Sequence, residues 1–207
     1  MKKLLQRSAS IILFFYITLL APALTHAAAL DNWHWRNPLP PSNLLTGVAY
    51  GKETYVAVGE LGTVISSVNG TAWVKSNTGI NNSLHKVAFG DNRFVAVGED
   101  IGTYDVILTS TDGVHWEKYS RALYRLNNVS YGAGCFVTVG VFGIMLSSCD
   151  GPLWKWYKPL TEATLADSAF GNDTFVIVGE NGLILQSDSL AGRGNAMPWL
   201  QLLILDR

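Results

Sequence analysis

Four segments of this chain copy one another at intervals of about 40 residues, and a chain built this way must stack one small unit on the next. The first element of each copy is Val48-Ala49-Tyr50-Gly51, Val87-Ala88-Phe89-Gly90, Val129-Ser130-Tyr131-Gly132 and Ser168-Ala169-Phe170-Gly171. Their spacings are 39, 42 and 39 residues. A second run follows in each copy, at residues 55–59 (YVAVG), 94–98 (FVAVG), 136–140 (FVTVG) and 175–179 (FVIVG). A third apolar run comes next, at 63–67, 106–110, 144–148 and 183–187. Three copies then carry a turn and a tryptophan: Asn69, Gly70 and Trp73, then Asp112, Gly113 and Trp116, then Asp150, Gly151 and Trp154.

Runs of four to six residues rich in Val, Ile, Phe and Tyr, bounded by Gly, Asn and Asp, read as strands joined by hairpins. Asn-Gly and Asp-Gly are tight-turn signals, because both central residues of such a turn need positive φ. The tryptophan three residues on begins an outermost strand and covers the hairpin. Four strands per unit of this length make a blade, so the fold expected is all-β: a β-propeller of about four four-stranded blades. The blades fall at about 44–83, 84–125, 126–164 and 165–205, with 31–40 a candidate closing strand. Tryptophan strands number five if Trp33 and Trp199 both count, one more than a closed ring of four needs. Either terminus fills the fourth blade, or the propeller is incomplete. An open ring exposes its edges and is expected to dimerise or aggregate.

The stretches Ser67-Val68-Asn69-Gly70-Thr71-Ala72-Trp73, Ser110-Thr111-Asp112-Gly113-Val114-His115-Trp116 and Ser148-Cys149-Asp150-Gly151-Pro152-Leu153-Trp154 resemble the Asp-box. That motif marks the bacterial neuraminidase repeat propellers of sialidases and many exported bacterial proteins. These copies lack one residue between Asp and Gly. The whole pattern is also similar, less closely, to the Ycf48-like photosystem II assembly factors. The resemblance spans roughly 33–189 and implies a fold, not an activity.

The first 27 residues read as a signal peptide. Lys2, Lys3 and Arg7 precede the apolar run 11–20, Pro22 breaks any helix, and Thr25-His26-Ala27 supplies small residues for cleavage. An uncleaved anchor is the alternative for the same segment. Residues 28–207 are then the propeller domain, with no second segment of membrane-spanning length. The basic start and short apolar run look bacterial, so the chain is expected to be secreted or periplasmic. With 15 Lys+Arg against 16 Asp+Glu, the chain lacks the basic surface of a nucleic-acid binder. Two cysteines build neither a disulfide scaffold nor a zinc ribbon. Cys135 and Cys149 fall nearly opposite each other in one hairpin, so a disulfide is expected; two free buried thiols are the alternative.

A residue shared by every blade is explained by blade structure, and a departure is free to be functional. Glu60, Glu99 and Glu180 occupy one slot and read as solvated turn residues, with Val141 in the remaining copy. The second blade is longer by three residues, all within 99–105. That insertion and the inter-blade connections supply the candidate recognition surface: Arg36, Tyr104, Asp105, Tyr119, Arg121, Tyr124, Arg125, Trp156 and Tyr157. Catalytic signals are poor. A sialidase site needs an arginine triad and a tyrosine nucleophile, and the isolated histidines offer no metal-ligand spacing. No catalytic, metal or cofactor residues are assigned. The expected function is an exported, non-catalytic module binding a protein or a glycan. The rivals are a sialidase-like glycoside hydrolase, an assembly factor for a membrane complex, and a truncated propeller without function.

Overall fold

The computed structural model describes residues 33–34, 43–99, 105–119 and 124–187, and the backbone of 202–204. All its strands belong to one compact unit, Arg36–Arg207. The signal-peptide expectation lies outside the described residues. Of the candidate closing strand at 31–40, Trp33 and His34 are described, and both are exposed and outside any strand.

Among the described residues, sixteen strands form four antiparallel sheets, each a meander of four in chain order. Sheet 1 holds β1 (Leu45–Gly51), β2 (Thr54–Gly59), β3 (Val64–Ser67) and β4 (Val74–Lys75). Sheet 2 holds β5 (Ser83–Gly90), β6 (Arg93–Glu99), β7 (Asp105–Ser110) and β8 (Glu117–Tyr119). Sheet 3 holds β9 (Leu126–Gly132), β10 (Cys135–Gly140), β11 (Met145–Ser148) and β12 (Lys155–Tyr157). Sheet 4 holds β13 (Leu165–Gly171), β14 (Thr174–Gly179), β15 (Ile184–Ser187) and β16 (Leu202–Ile204). Of the two termini, the C-terminal segment therefore supplies the fourth outer strand, β16 pairing with β15.

The second and third strands of sheets 2 and 3 are apolar on both faces because a sheet lies against each. Val56, Val58 and Val64 of sheet 1 pack on Leu84, Val87, Phe94 and Leu108 of sheet 2. Val95, Val97 and Ile107 of sheet 2 pack on Leu126, Phe136 and Leu146 of sheet 3. Val137, Val139 and Met145 of sheet 3 pack on Leu165, Phe175, Ile177 and Leu185 of sheet 4. Successive residues of a strand point to opposite faces, so Phe94 and Val95 serve different neighbours. Burying each such side chain is worth about 1.5–3 kcal/mol, and these layers are the core.

The tight turns sit elsewhere than the sequence signal indicated. Positive φ at two consecutive residues occurs between the first and second strands, at Lys52/Glu53, Asp91/Asn92, Ala133/Gly134 and Asn172/Asp173. In the Asn-Gly and Asp-Gly turns only Gly70, Gly113 and Gly151 have positive φ. There the side chains organise the chain. Asn69 Oδ1 accepts from the amides of Thr71 and Ala72 at 2.9 and 3.0 Å, and Ser67 Oγ accepts from Gly70 N at 2.9 Å. Asp112 and Ser110 repeat this with Val114, His115 and Gly113, each at 2.8 Å. In the third turn Asp150 holds Leu153 N, while Pro152 has no amide to offer. The indole N–H groups of Trp73 and Trp116 donate to Gly70 O and Gly113 O at 3.2 Å. Trp154 is buried in the second core layer. One hairpin is also closed covalently: β10 and β11 pair Phe136 with Ser148, and one step further Cys135 and Cys149 form a disulfide.

Candidate functional site

The connection between second and third strands meets the inter-sheet connections at one end of the sheets, and main-chain hydrogen bonds fix them together. Glu60-Leu61-Gly62, Val141-Phe142-Gly143 and Glu180-Asn181-Gly182 share one conformation, with positive φ at their second and third residues. Each turn is tied to the connection before its own sheet: Glu60 N to Leu44 O, Val141 N to Arg125 O and Glu180 N to Thr164 O, at 3.0, 3.1 and 2.9 Å. Two are also tied to the connection that follows, through Gly62 N to Asn82 O at 2.7 Å and Gly143 N to Ala163 O at 2.9 Å. The residue at each tip, Leu61, Phe142 or Asn181, is left exposed.

Between sheets 2 and 3 this belt carries the most varied side chains. Phe142 meets the ring of Tyr124 edge-on, with centroids 5.1 Å apart. Arg125 Nε lies 3.5 Å from Glu99 Oε2 and donates to Asn127 Oδ1 at 3.0 Å. His85 Nε2 lies 3.7 Å from Glu99 Oε1. Burial and the Arg125 charge push the His85 pKa below its ordinary value, and Glu99 offsets only part of this. Two aromatic rings beside a paired carboxylate and guanidinium can grip a segment with apolar and charged groups. Between sheets 1 and 2 the belt instead frames a pocket of about 430 Å³, lined by Leu61, Lys75, Asn77, Thr78 and Ile80 among others.

The structure sorts the expected recognition residues. Tyr124 and Arg125 lie on the connection that leads into β9. Arg36, Tyr104 and Arg121 lie outside the described residues. Asp105 is a correction: it is fully buried in β7, paired across the ladder with Glu99, because the strands extend into the insertion. Trp156 and Tyr157 are also corrected. They belong to β12, since the outer strand starts after the tryptophan rather than at it, and Tyr157 Oη bonds Ser147 Oγ at 2.9 Å. Tyr119 likewise ends β8, packed against the second core layer. Glu180 accepts from Thr164 N at 2.9 Å as part of its turn, whereas Glu99 belongs to the cluster. His85 and Phe142 were missed. Phe142 did carry a signal, since it sits in the one turn whose first residue is Val rather than Glu.

Arg93 and Arg125, the two arginines among the described residues, lie at opposite ends of the sheets and form no triad. No group of three metal-ligating side chains occurs among the described residues.

No protein-family model and no curated protein matches the chain. Solved structures do. YCF48 from Cyanidioschyzon merolae superposes with a TM-score of 0.57 at 18% identity, over 73% of this chain and 55% of that one. The WD40 β-propeller domain of Doa1 gives a TM-score of 0.55 at 13% identity, over 72% of this chain and 52% of that one. The fold is a β-propeller. A structure described as YCF48 bound to D1 peptide matches the propeller with a TM-score of 0.57 at 17% identity, over 76% of this chain and 53% of that one. The propeller thus spans about half the length of these three chains, and its sheets are blades.

Proposed function

We propose that the chain is an exported, non-catalytic propeller that binds a segment of another protein on its loop face, at Tyr124, Arg125, Phe142, Glu99 and His85. The observation that carries this reading is a mixed aromatic and charged cluster presented on turns that main-chain hydrogen bonds hold in place. Such preorganisation lowers the entropic cost of binding. That a similar propeller, YCF48, has been solved with a peptide bound supports a peptide as the ligand class. The three Ser-x-Asx-Gly turns support a place among the Asp-box propellers. Export is supported by the pattern of residues 1–27 and by a disulfide, which persists in oxidising compartments.

The test is crosslinking of the protein in the envelope of its host, comparing the parent with Tyr124→Ala and Arg125→Glu variants. A specific partner recovered at least about tenfold less well with either variant supports the loop face. A partner insensitive to both but lost on Leu153→Lys, on the opposite end of the blades, places binding elsewhere. Turnover of a fluorogenic sialoside would overturn the non-catalytic reading.

A further inference from the structure

Each blade has two unlike faces, and the three blade-to-blade contacts all join the same unlike pair. One face carries alternate valines of its second strand, and the other carries the leading leucine of its first strand and the aromatic of its second. After three contacts one face of each kind remains. On blade 4 it is Val176, Val178 and Ile184, exposed by 38%, 41% and 48%, where the equivalent Val95, Val97 and Ile107 are at 0%. On blade 1 it is Leu45, Val48 and Tyr55, exposed by 42%, 63% and 38%, where Leu84, Val87 and Phe94 are at 0%, 3% and 0%; Ala57 and Ile65 of the same face are buried.

A second repeated contact is left incomplete in the same direction. The glycine ending each first strand lies under the aromatic ring of the next blade. A Cβ on Gly51, Gly90 or Gly132 would fall 2.1, 2.1 or 2.0 Å from a ring carbon of Phe89, Tyr131 or Phe170. Gly171 has nothing within 4 Å, and Tyr50, the remaining aromatic of this slot, is exposed.

We propose that a second copy of this chain covers both faces. Blade 1 of each copy packs on blade 4 of the other, Tyr50 seats on Gly171 of the partner subunit, and the two chains close one two-fold ring of eight blades. The contact needed is the one the chain already makes three times, so its shape is set by the repeat. Propellers close at about four to eight blades, and two copies of the four described blades supply eight. A ring of four would bury both faces within one chain, yet Leu45, Val48 and Tyr55 on one and Val176, Val178 and Ile184 on the other stay exposed. A head-to-tail contact between copies either closes or grows into a filament, and closure at two copies leaves no apolar blade face in water.

The full 207-residue chain is expressed in a secreting host, and the exported product is weighed by size-exclusion chromatography with light scattering. The expected mass is twice that of one chain. Gly171→Val meets no neighbour within its own chain, so its far-ultraviolet circular dichroism stays at the parent's while its mass halves. Val178→Lys does the same, and Leu153→Lys, away from both faces, remains a dimer. A single-chain mass for the parent overturns the proposal. So does a dimer that survives Gly171→Val and Val178→Lys, a heavier or open-ended assembly, or a different protein held at both faces.

Discussion

Asp112 shows how much of a turn one side chain can hold. Burial alone would raise its pKa, but hydrogen bonds from the His115 ring and amide, Val114 N and Ser110 outweigh this and hold the carboxyl well below the usual range. Its Oδ2 lies 2.7 Å from His115 Nδ1. A depressed folded-state pKa stabilises at pH above the unfolded value of about 3.9, and that contribution is lost as pH falls through the folded value. Asp112→Asn keeps the acceptor that Asn69 uses in blade 1 but loses the charge. Because the pair is exposed, the variant should be less stable at pH 7 by under about 1 kcal/mol. Thermal melts at neutral and strongly acid pH should show that gap closing on acidification. His85 answers to different neighbours. Arg125→Ala should raise its pKa towards the ordinary histidine value, and Glu99→Gln should lower it further. Titration of the His85 ring signals by NMR would read both shifts. With its folded pKa lowered, His85 binds protons less readily folded than unfolded, so it withdraws stability as pH falls below the unfolded value of about 6.5.

The elements that could be read from the residues are those the repeat writes four times. Val56, Val95, Val137 and Val176 each lie in a second strand, and the Ser-x-Asx-Gly turns precede the outer strands as their tryptophans indicated. Two features escaped for physical reasons. Lys52/Glu53 and Asp91/Asn92 adopt positive φ without a glycine, because a two-residue link between twisted strands imposes it. The Glu99 cluster joins β5, β6 and the start of β9, a contact that no local pattern announces. The turns of the loop face depend on something equally non-local. Gly143 has φ of 67°, and a Cβ there would lie 1.9 Å from Thr161 O, an atom of the next connection. Gly143→Ala should therefore cost more than about 2 kcal/mol. Gly79 has the same φ sign but open space around it, so Gly79→Ala should cost only about 1 kcal/mol. Urea denaturation of the two variants against the parent would separate backbone strain from collision.

Blades that touch only their neighbours make the molecule nearly one-dimensional in its energetics. Blades 2 and 3 are covered on both faces, and blades 1 and 4 on one. In the single-chain Val178→Lys variant, native-state hydrogen exchange should place the slowest amides in β6 and β10, with β2 and β14 exchanging faster. In the parent, where the second copy covers the outer blades, protection in all four strands should be equal. The repeat made the blade count legible, while the use of a C-terminal strand in blade 4 had to come from the structure. The belt of main-chain bonds around the loop face also bears on how such a molecule changes over generations. Its rigidity comes from amides and carbonyls that most residue types possess, so Leu61, Phe142 and Asn181 hold the same shape with unrelated side chains. Recognition can drift at those tips while foldability is conserved, so paralogues could diverge in partner choice without passing through an unstable ancestor.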